Sequence, residues 1–265
     1  MKRDYLIGLC SYIEYYFYFC RKMIFYFSAT GNSRHVALRM AEATGDRMVS
    51  VIDCMNTDSF EFDIQKDERI GFVCPVYFWG IPEVMNEFMS RMKLNTCVNH
   101  YVYTIVSYGT TTGQAGWLLG EALKKKGIKR DAHFAIGMVD TYTPMFDVSD
   151  RDKCNRKSVR AEKTIDKVAH WVMERRCVNR DRLRLYHPLA AIYTYLNKNP
   201  KTKPFSINER CIGCGVCAKD CPTQAIKMEN GRPSWVKDHC MTCLRCLHHC
   251  PTFAIQYTRV RDNFV

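Results

Sequence analysis

Met23-Ile24-Phe25-Tyr26-Phe27-Ser28-Ala29-Thr30-Gly31-Asn32-Ser33 is a continuously apolar run that gives way to hydroxyl residues and a glycine. Five apolar residues without polar alternation fit a strand buried on both faces. A helix-period segment follows at once, with Val36, Ala37, Met40 and Ala41 on one face. Between a strand end and a helix start, Ser28, Thr30, Gly31, Asn32 and Ser33 form an anion cradle, because the first-turn amides of a helix have no intrahelical acceptor and point at a phosphate. An ordinary capped turn uses the same residue types one by one. The pattern further along the chain separates the two readings.

Strand-like and helix-like segments alternate downstream. Strands are expected at Met48 to Asp53, Arg69 to Cys74, Tyr101 to Ser107 and Ala132 to Val139, and helices at Pro82 to Lys93 and Gly113 to Lys126, with Gly127 where a helix C-terminal glycine belongs. Five apolar strands joined by crossovers predict an α/β fold, a doubly wound five-stranded parallel sheet in the order 2-1-3-4-5. Ligands of such sheets collect at the carboxyl ends of the strands, here between strands 1 and 3. The loop after strand 3, Pro75-Val76-Tyr77-Phe78-Trp79-Gly80, is rich in aromatic planes that stack on a flat ring and exclude water. After strand 4, Ser107, Tyr108, Gly109 and Gly113 lie where glycines let backbone approach a ligand. Read singly, Trp79 and Tyr108 serve equally well as lids on the core.

Two copies of one cysteine phrase close the chain. They are Cys211-Ile-Gly-Cys214-Gly-Val-Cys217-Ala-Lys-Asp-Cys221-Pro222 and Cys240-Met-Thr-Cys243-Leu-Arg-Cys246-Leu-His-His-Cys250-Pro251. Each is the C-x2-C-x2-C-x3-C-P run that ligates [4Fe-4S] clusters, in which the fourth cysteine serves the other cluster. Cys211, Cys214, Cys217 and Cys250 are therefore assigned to one cluster, and Cys240, Cys243, Cys246 and Cys221 to the second. A shift of 29 positions also lays Pro222 on Pro251, Thr223 on Thr252, Ala225 on Ala254 and Ile226 on Ile255. That is an internal duplication, and it predicts a small α+β dicluster module. Structural zinc sites take four ligands per ion, usually as paired CxxC or CxxC with histidines, and fit two four-cysteine runs poorly. His239, His248 and His249 lie beside ligands and are read as surface residues or tuners of cluster potential.

Fifteen cysteines in 265 residues suit a reducing, cytoplasmic setting, since eight must stay reduced for iron. The other seven (Cys10, Cys20, Cys54, Cys74, Cys97, Cys154 and Cys177) are scattered singly and read as small hydrophobes. The formal net charge is +12, and residues 176–265 supply +9 of it, 15 basic against 6 acidic. A basic surface suits an acidic ferredoxin or flavodoxin as redox partner, or peripheral contact with an anionic membrane. Nucleic-acid binding is disfavoured because no recognition motif accompanies the charge, and direct use of NADH because no G-x-G-x-x-G follows a strand. Leu6 to Cys20 is apolar but short for a membrane span and holds Glu14. Residues 1–22 are read as an upstream extension, with an interfacial anchor as the rival reading.

From Met23 to about Arg175 the sequence resembles a flavodoxin domain, with Ser28 to Ser33 matching its S/T-x-T-G-N-S/T phosphate loop. With the cysteine-rich tail it resembles the flavodoxin–ferredoxin fusion proteins. The resemblance implies FMN as a cofactor beside two [4Fe-4S] clusters, with Pro75, Tyr77, Trp79 and Gly80 in the second flavin loop and Ser107, Tyr108 and Gly109 in the third; Gly113 is a further expected flavin residue. Thr141 to Phe146 resembles a further family feature without an assigned role. The expected organisation is 1–22 extension, 23–175 flavodoxin-like domain, 176–206 basic bridging helix and linker, and 207–265 ferredoxin-like domain. The expected function is electron transfer between clusters and flavin. Direct reduction of a small substrate by the flavin, and redox sensing or docking without flavin, are the competing readings.

Overall fold

The computed structural model describes residues 22–96, 100–178, 192 and 202–257. Residues 1–21 of the expected extension and residues 179–191 and 193–201 of the bridging helix and linker lie outside the described residues, as do Cys10, Cys20 and Cys97. Among the described residues no helix is long and apolar enough to cross a membrane.

The order of elements begins with β1 (Met23–Tyr26), α1 (Asn32–Thr44), β2 (Arg47–Ser50), α2 (Val51–Thr57), β3 (Glu61–Ile64), β4 (Arg69–Pro75), α3 (Glu83–Arg91) and β5 (Lys93–Thr96). It continues with β6 (Tyr101–Tyr108), α4 (Ala115–Lys125), β7 (Ala132–Gly137) and α5 (Arg151–Met173). Five strands form one parallel sheet in the order β2-β1-β4-β6-β7, the expected 2-1-3-4-5 arrangement. Burial is continuous along β4 and β6, as a sheet covered on both faces requires. On one face Phe25, Phe72 and Phe88 form an aromatic core, with Phe25 and Phe72 stacked at 5.3 Å between ring centroids. On the other, α1 and α5 bury Val36, Met40, Ile165 and Val172 against Ile24 and Tyr103. Gly71 makes room for Tyr103, whose ring would lie 2.5 Å from a Cβ there.

Two expectations are corrected. The strand expected at Met48 to Asp53 stops at Ser50, whose hydroxyl accepts the Asp53 N–H at 3.2 Å and starts α2 with an acidic residue in its first turn. A parallel pair, β3 with β5, lies outside the five-stranded sheet, where only crossover was expected. Helix α5 begins at Arg151, where Asp150 caps it by accepting the Lys153 N–H at 2.9 Å.

The C-terminal unit holds β8 (Phe205–Ile207), α6 (Val216–Lys219), β9 (Ile226–Glu229), β10 (Arg232–Trp235), α7 (Arg245–His248) and β11 (Ile255–Tyr257). The strands pair antiparallel, β9 with β10 and β8 with β11. The duplication holds in three dimensions: α6 and α7 are related by the 29-residue shift, and so are the left-handed residues Gly213 and Thr242, Gly215 and Leu244, and Gln224 and Phe253.

Candidate functional site

The β1–α1 turn is built to hold an anion. Gly31 occupies the N-cap of the 13-residue α1 at φ 115, no side chain caps that terminus, and its first turn holds no acidic residue. First-turn amides left uncapped by the chain suit a phosphate. The turn is pinned around them: the Ser28 hydroxyl accepts the Gly31 N–H at 3.2 Å, Asn32 Nδ2 donates to the Val139 carbonyl at 2.8 Å, and the buried Ser33 and Ser107 hydroxyls share a hydrogen bond of 2.7 Å. Thr30 Oγ1 donates to Thr141 Oγ1 at 3.2 Å.

The aromatic loop folds back on itself. Tyr77 and Gly80 exchange backbone hydrogen bonds of 3.0 and 2.8 Å around Phe78 and Trp79, both left-handed at φ 47 and 63. Two bulky residues in that region cost energy that the surroundings must offset, a pattern that collects at ligand sites. The Gln114 N–H holds the Trp79 carbonyl at 2.8 Å, and Gly113 is glycine because a Cβ there would lie 2.4 Å from that carbonyl oxygen. At Gly109 a Cβ would overlap the Asp140 carboxylate, so a larger residue there would make that side chain swing away. Asp140 in turn accepts the Tyr142 N–H at 2.9 Å and the Thr110 hydroxyl at 3.3 Å. Around these loops lies a cavity of about 210 Å³, bounded by Ser28, Thr30, Asn32 and Ser33 on one side and by Pro75, Tyr77 and Trp79 on another. Ser107, Tyr108 and Gly109 complete the sheet-side wall. Polar groups at one end and aromatic planes at the other fit a flavin phosphate and ring.

The eight repeat cysteines fall into two sets. Cys211, Cys214, Cys217 and Cys250 border one small cavity together with Pro251. Cys240, Cys243 and Cys246 lie near one another and near Cys221: burial first, then the Cys240 and Cys221 sulfurs, against the Arg245 N–H and its charge, together push the Cys243 thiol up to about 12. The neighbours of each set are those that the spacing assigns to it. Among the described residues no three or more His, Cys, Asp or Glu side chains close on a single-ion point, and the first set stands apart around a space instead. Burial raises the Cys240, Cys243 and Cys246 thiols, and a coordinating metal deprotonates such a thiol outright. Backbone amides face the sulfurs in matching positions, Ala225 N–H to Cys221 Sγ at 3.3 Å and Ala254 N–H to Cys250 Sγ at 3.2 Å, and such donors suit an anionic cluster.

The cysteine-rich unit packs directly on the carboxyl edge of the sheet. Thr242, Cys243 and Leu244 form a wall of the large cavity, and Met241 is buried in the aromatic core of the sheet domain. Arg245 Nη1 donates to the Ala29 carbonyl at 2.6 Å and Nη2 to Asp220 at 2.9 Å. His248 Nε2 lies 2.8 Å from the Thr141 carbonyl, and His239 Nε2 lies 2.6 Å from Glu83 Oε2. Tyr77 is held protonated by burial and by the nearby Cys243 sulfur.

Residues 23–163 match the flavodoxin domain and residues 203–251 the 4Fe-4S dicluster domain. The chain belongs to the flavodoxin domain family. Its organisation is that of a flavodoxin–ferredoxin fusion, and it has a flavin and iron–sulfur electron-transfer role. No curated protein matches it. Among solved structures it is similar to rubredoxin oxygen:oxidoreductase from the anaerobe Desulfovibrio gigas, at 16% identity over 61% of this chain and 40% of that one, TM-score 0.33. It is also similar to two-electron reduced Megasphaera elsdenii flavodoxin, at 18% identity over 53% of this chain and 98% of that one, TM-score 0.33. A third is an azoreductase from Bacillus anthracis, at 8% identity over 58% of this chain and 99% of that one, TM-score 0.36.

In the flavodoxin domain, ten of the thirteen expected flavin residues border the cavity. Gly31, Gly80 and Gly113 do not border it; they shape the three loops that do. Thr141 and Tyr142, in the segment left without a role, form part of the wall, with Met145 and Phe146 beside them. Asp140 was missed, and the glycine at position 109 is its only trace in the sequence. The contribution of Thr242 to Leu244 from the dicluster domain was missed as well.

Proposed function

We propose that the chain passes electrons between FMN in the inter-domain cavity and two [4Fe-4S] clusters, an inner one on Cys240, Cys243, Cys246 and Cys221 and an outer one on Cys211, Cys214, Cys217 and Cys250. The observation that carries this reading is the position of Cys243, which borders the flavin cavity while no cysteine of the outer set does. When bound, the clusters supply one-electron steps and the flavin joins them to one- or two-electron chemistry. The chain itself supplies position and exclusion of water. Ser28 to Ser33 and the start of α1 receive the phosphate, Tyr77, Trp79 and Tyr108 flank the ring, and Leu244, 2% exposed, seals the wall toward the inner set. Tyr77 keeps its proton and adds no charge between the two sites.

Exchange with other proteins takes place at the outer set. Cys214 is exposed, Ile212, 68% exposed, borders the outer-set cavity, and Phe253, 58% exposed, donates its N–H to the Cys250 carbonyl at 3.2 Å. Apolar contact next to a redox centre, on a chain of net charge +12, fits an acidic ferredoxin or flavodoxin. The test is anaerobic stopped-flow reduction by a reduced acidic ferredoxin, with dithionite as the small-molecule control. Phe253→Asp slows flavin reduction by the protein donor and leaves dithionite reduction unchanged. Cys214→Ser, which loses the outer cluster, abolishes donor-driven reduction. A Cys214→Ser protein reduced by the donor at the wild-type rate contradicts the route.

A further inference from the structure

We infer that flavin binding and the inner cysteine set are coupled through Arg245, a positioning residue that grips the phosphate loop from the dicluster domain. The inference rests on the proposed function and adds a partner residue to its flavin site. Arg245 stands between Cys243 and Cys246, yet its guanidinium leaves its own domain to donate to the carbonyl of Ala29, a residue only 1% exposed. Ala29 lies between Ser28, which braces the Gly31 amide, and Thr30, which bonds Thr141. Asp220, next to Cys221, holds the other arm of the guanidinium, so the anchor of the side chain on its own domain adjoins an inner-set cysteine.

A second tie runs in parallel. One turn along α7, His248 meets the Thr141 carbonyl at 2.8 Å, so that one short helix holds both loops that flank the phosphate end of the cavity. With Thr242 to Leu244 in the wall, the shape of the flavin site depends on the order of residues 240–248. That order depends on ligation of the cysteines within it, because metal binding and local folding share one free energy. Loss of the Arg245 bond leaves the buried Ala29 carbonyl short of a charged donor and frees the loop. Linkage makes the effect reciprocal: whatever ligation of the inner set does for flavin affinity, flavin does for retention of that cluster.

Two measurements on the full-length protein test this. First, FMN affinity is measured by fluorescence quenching in wild type, Arg245→Gln and Arg245→Lys, each with its iron content determined. Arg245→Gln binds FMN about tenfold more weakly at wild-type iron content, and Arg245→Lys recovers part of the loss. Second, iron is extracted from wild type with a chelator, with and without saturating FMN. Bound FMN slows loss of about half of the iron, the inner cluster, and leaves the other half unaffected. If Arg245→Gln fails to keep its iron, the second measurement decides alone. Unchanged FMN affinity in an iron-replete Arg245→Gln protein, or iron loss indifferent to FMN, overturns the coupling. A wild-type protein that binds no FMN contradicts the proposed function itself.

Discussion

The two cysteine repeats share one backbone and live in different surroundings. Two of the three left-handed positions are Gly213 and Gly215 in the first repeat and Thr242 and Leu244, at φ 48 and 56, in the second. Gly213 has no choice, because a Cβ would lie 2.6 Å from the Gly231 carbonyl oxygen. At Thr242 and Leu244 the left-handed backbone costs about 1–2 kcal/mol each. Burying a leucine is worth about 1.5–3 kcal/mol, and Leu244 is 2% exposed within the core of the dicluster domain. Ligation fixes the backbone path in both copies. Packing against the flavodoxin domain fixes which side chains that path carries in the inner one.

The largest effect expected from this contrast is on cofactors. Cys243→Ser and Cys214→Ser each lose about half of the iron, but only Cys243→Ser also loses flavin affinity, read by titration against iron analysis. Equal flavin loss in both variants would erase the distinction between inner and outer sites. Next, Leu244→Ala destabilises the chain by about 2–4 kcal/mol in anaerobic chemical denaturation, because it empties a core position and keeps the strained backbone. Gly213→Ala costs less, about 1–3 kcal/mol, through the Gly231 clash and the left-handed φ, and it leaves flavin affinity unchanged. The smallest effect belongs to His239→Ala, which breaks an exposed pair with Glu83 and shifts stability by less than about 1 kcal/mol. A large loss there would make the domain contact depend on rim charges rather than on Met241.

Legibility in the sequence followed the range over which each feature is determined. Cluster ligands repeat within an 11-residue phrase, so spacing alone assigns the eight cysteines to two crossed sets. The parallel sheet was legible from continuous apolar runs such as Arg69 to Cys74. Local competition was harder to read: Ser50 turns an apparent strand into a helix start through one side-chain hydrogen bond. Contacts between the two domains left no local trace. Arg245 and Ala29 are 216 residues apart, and nothing near either marks the other. Periodicity and spacing report what a segment does with its own neighbours; the wall formed by Thr242 to Leu244 arises only when two finished domains meet.

The central claim is that one chain holds two clusters and a flavin side by side. It is tested most directly by iron, sulfide and released-flavin analysis on a single anaerobically purified sample. The account predicts about eight irons and one FMN per chain. Eight irons without flavin would contradict it, leaving a dicluster ferredoxin whose flavodoxin domain serves docking or sensing.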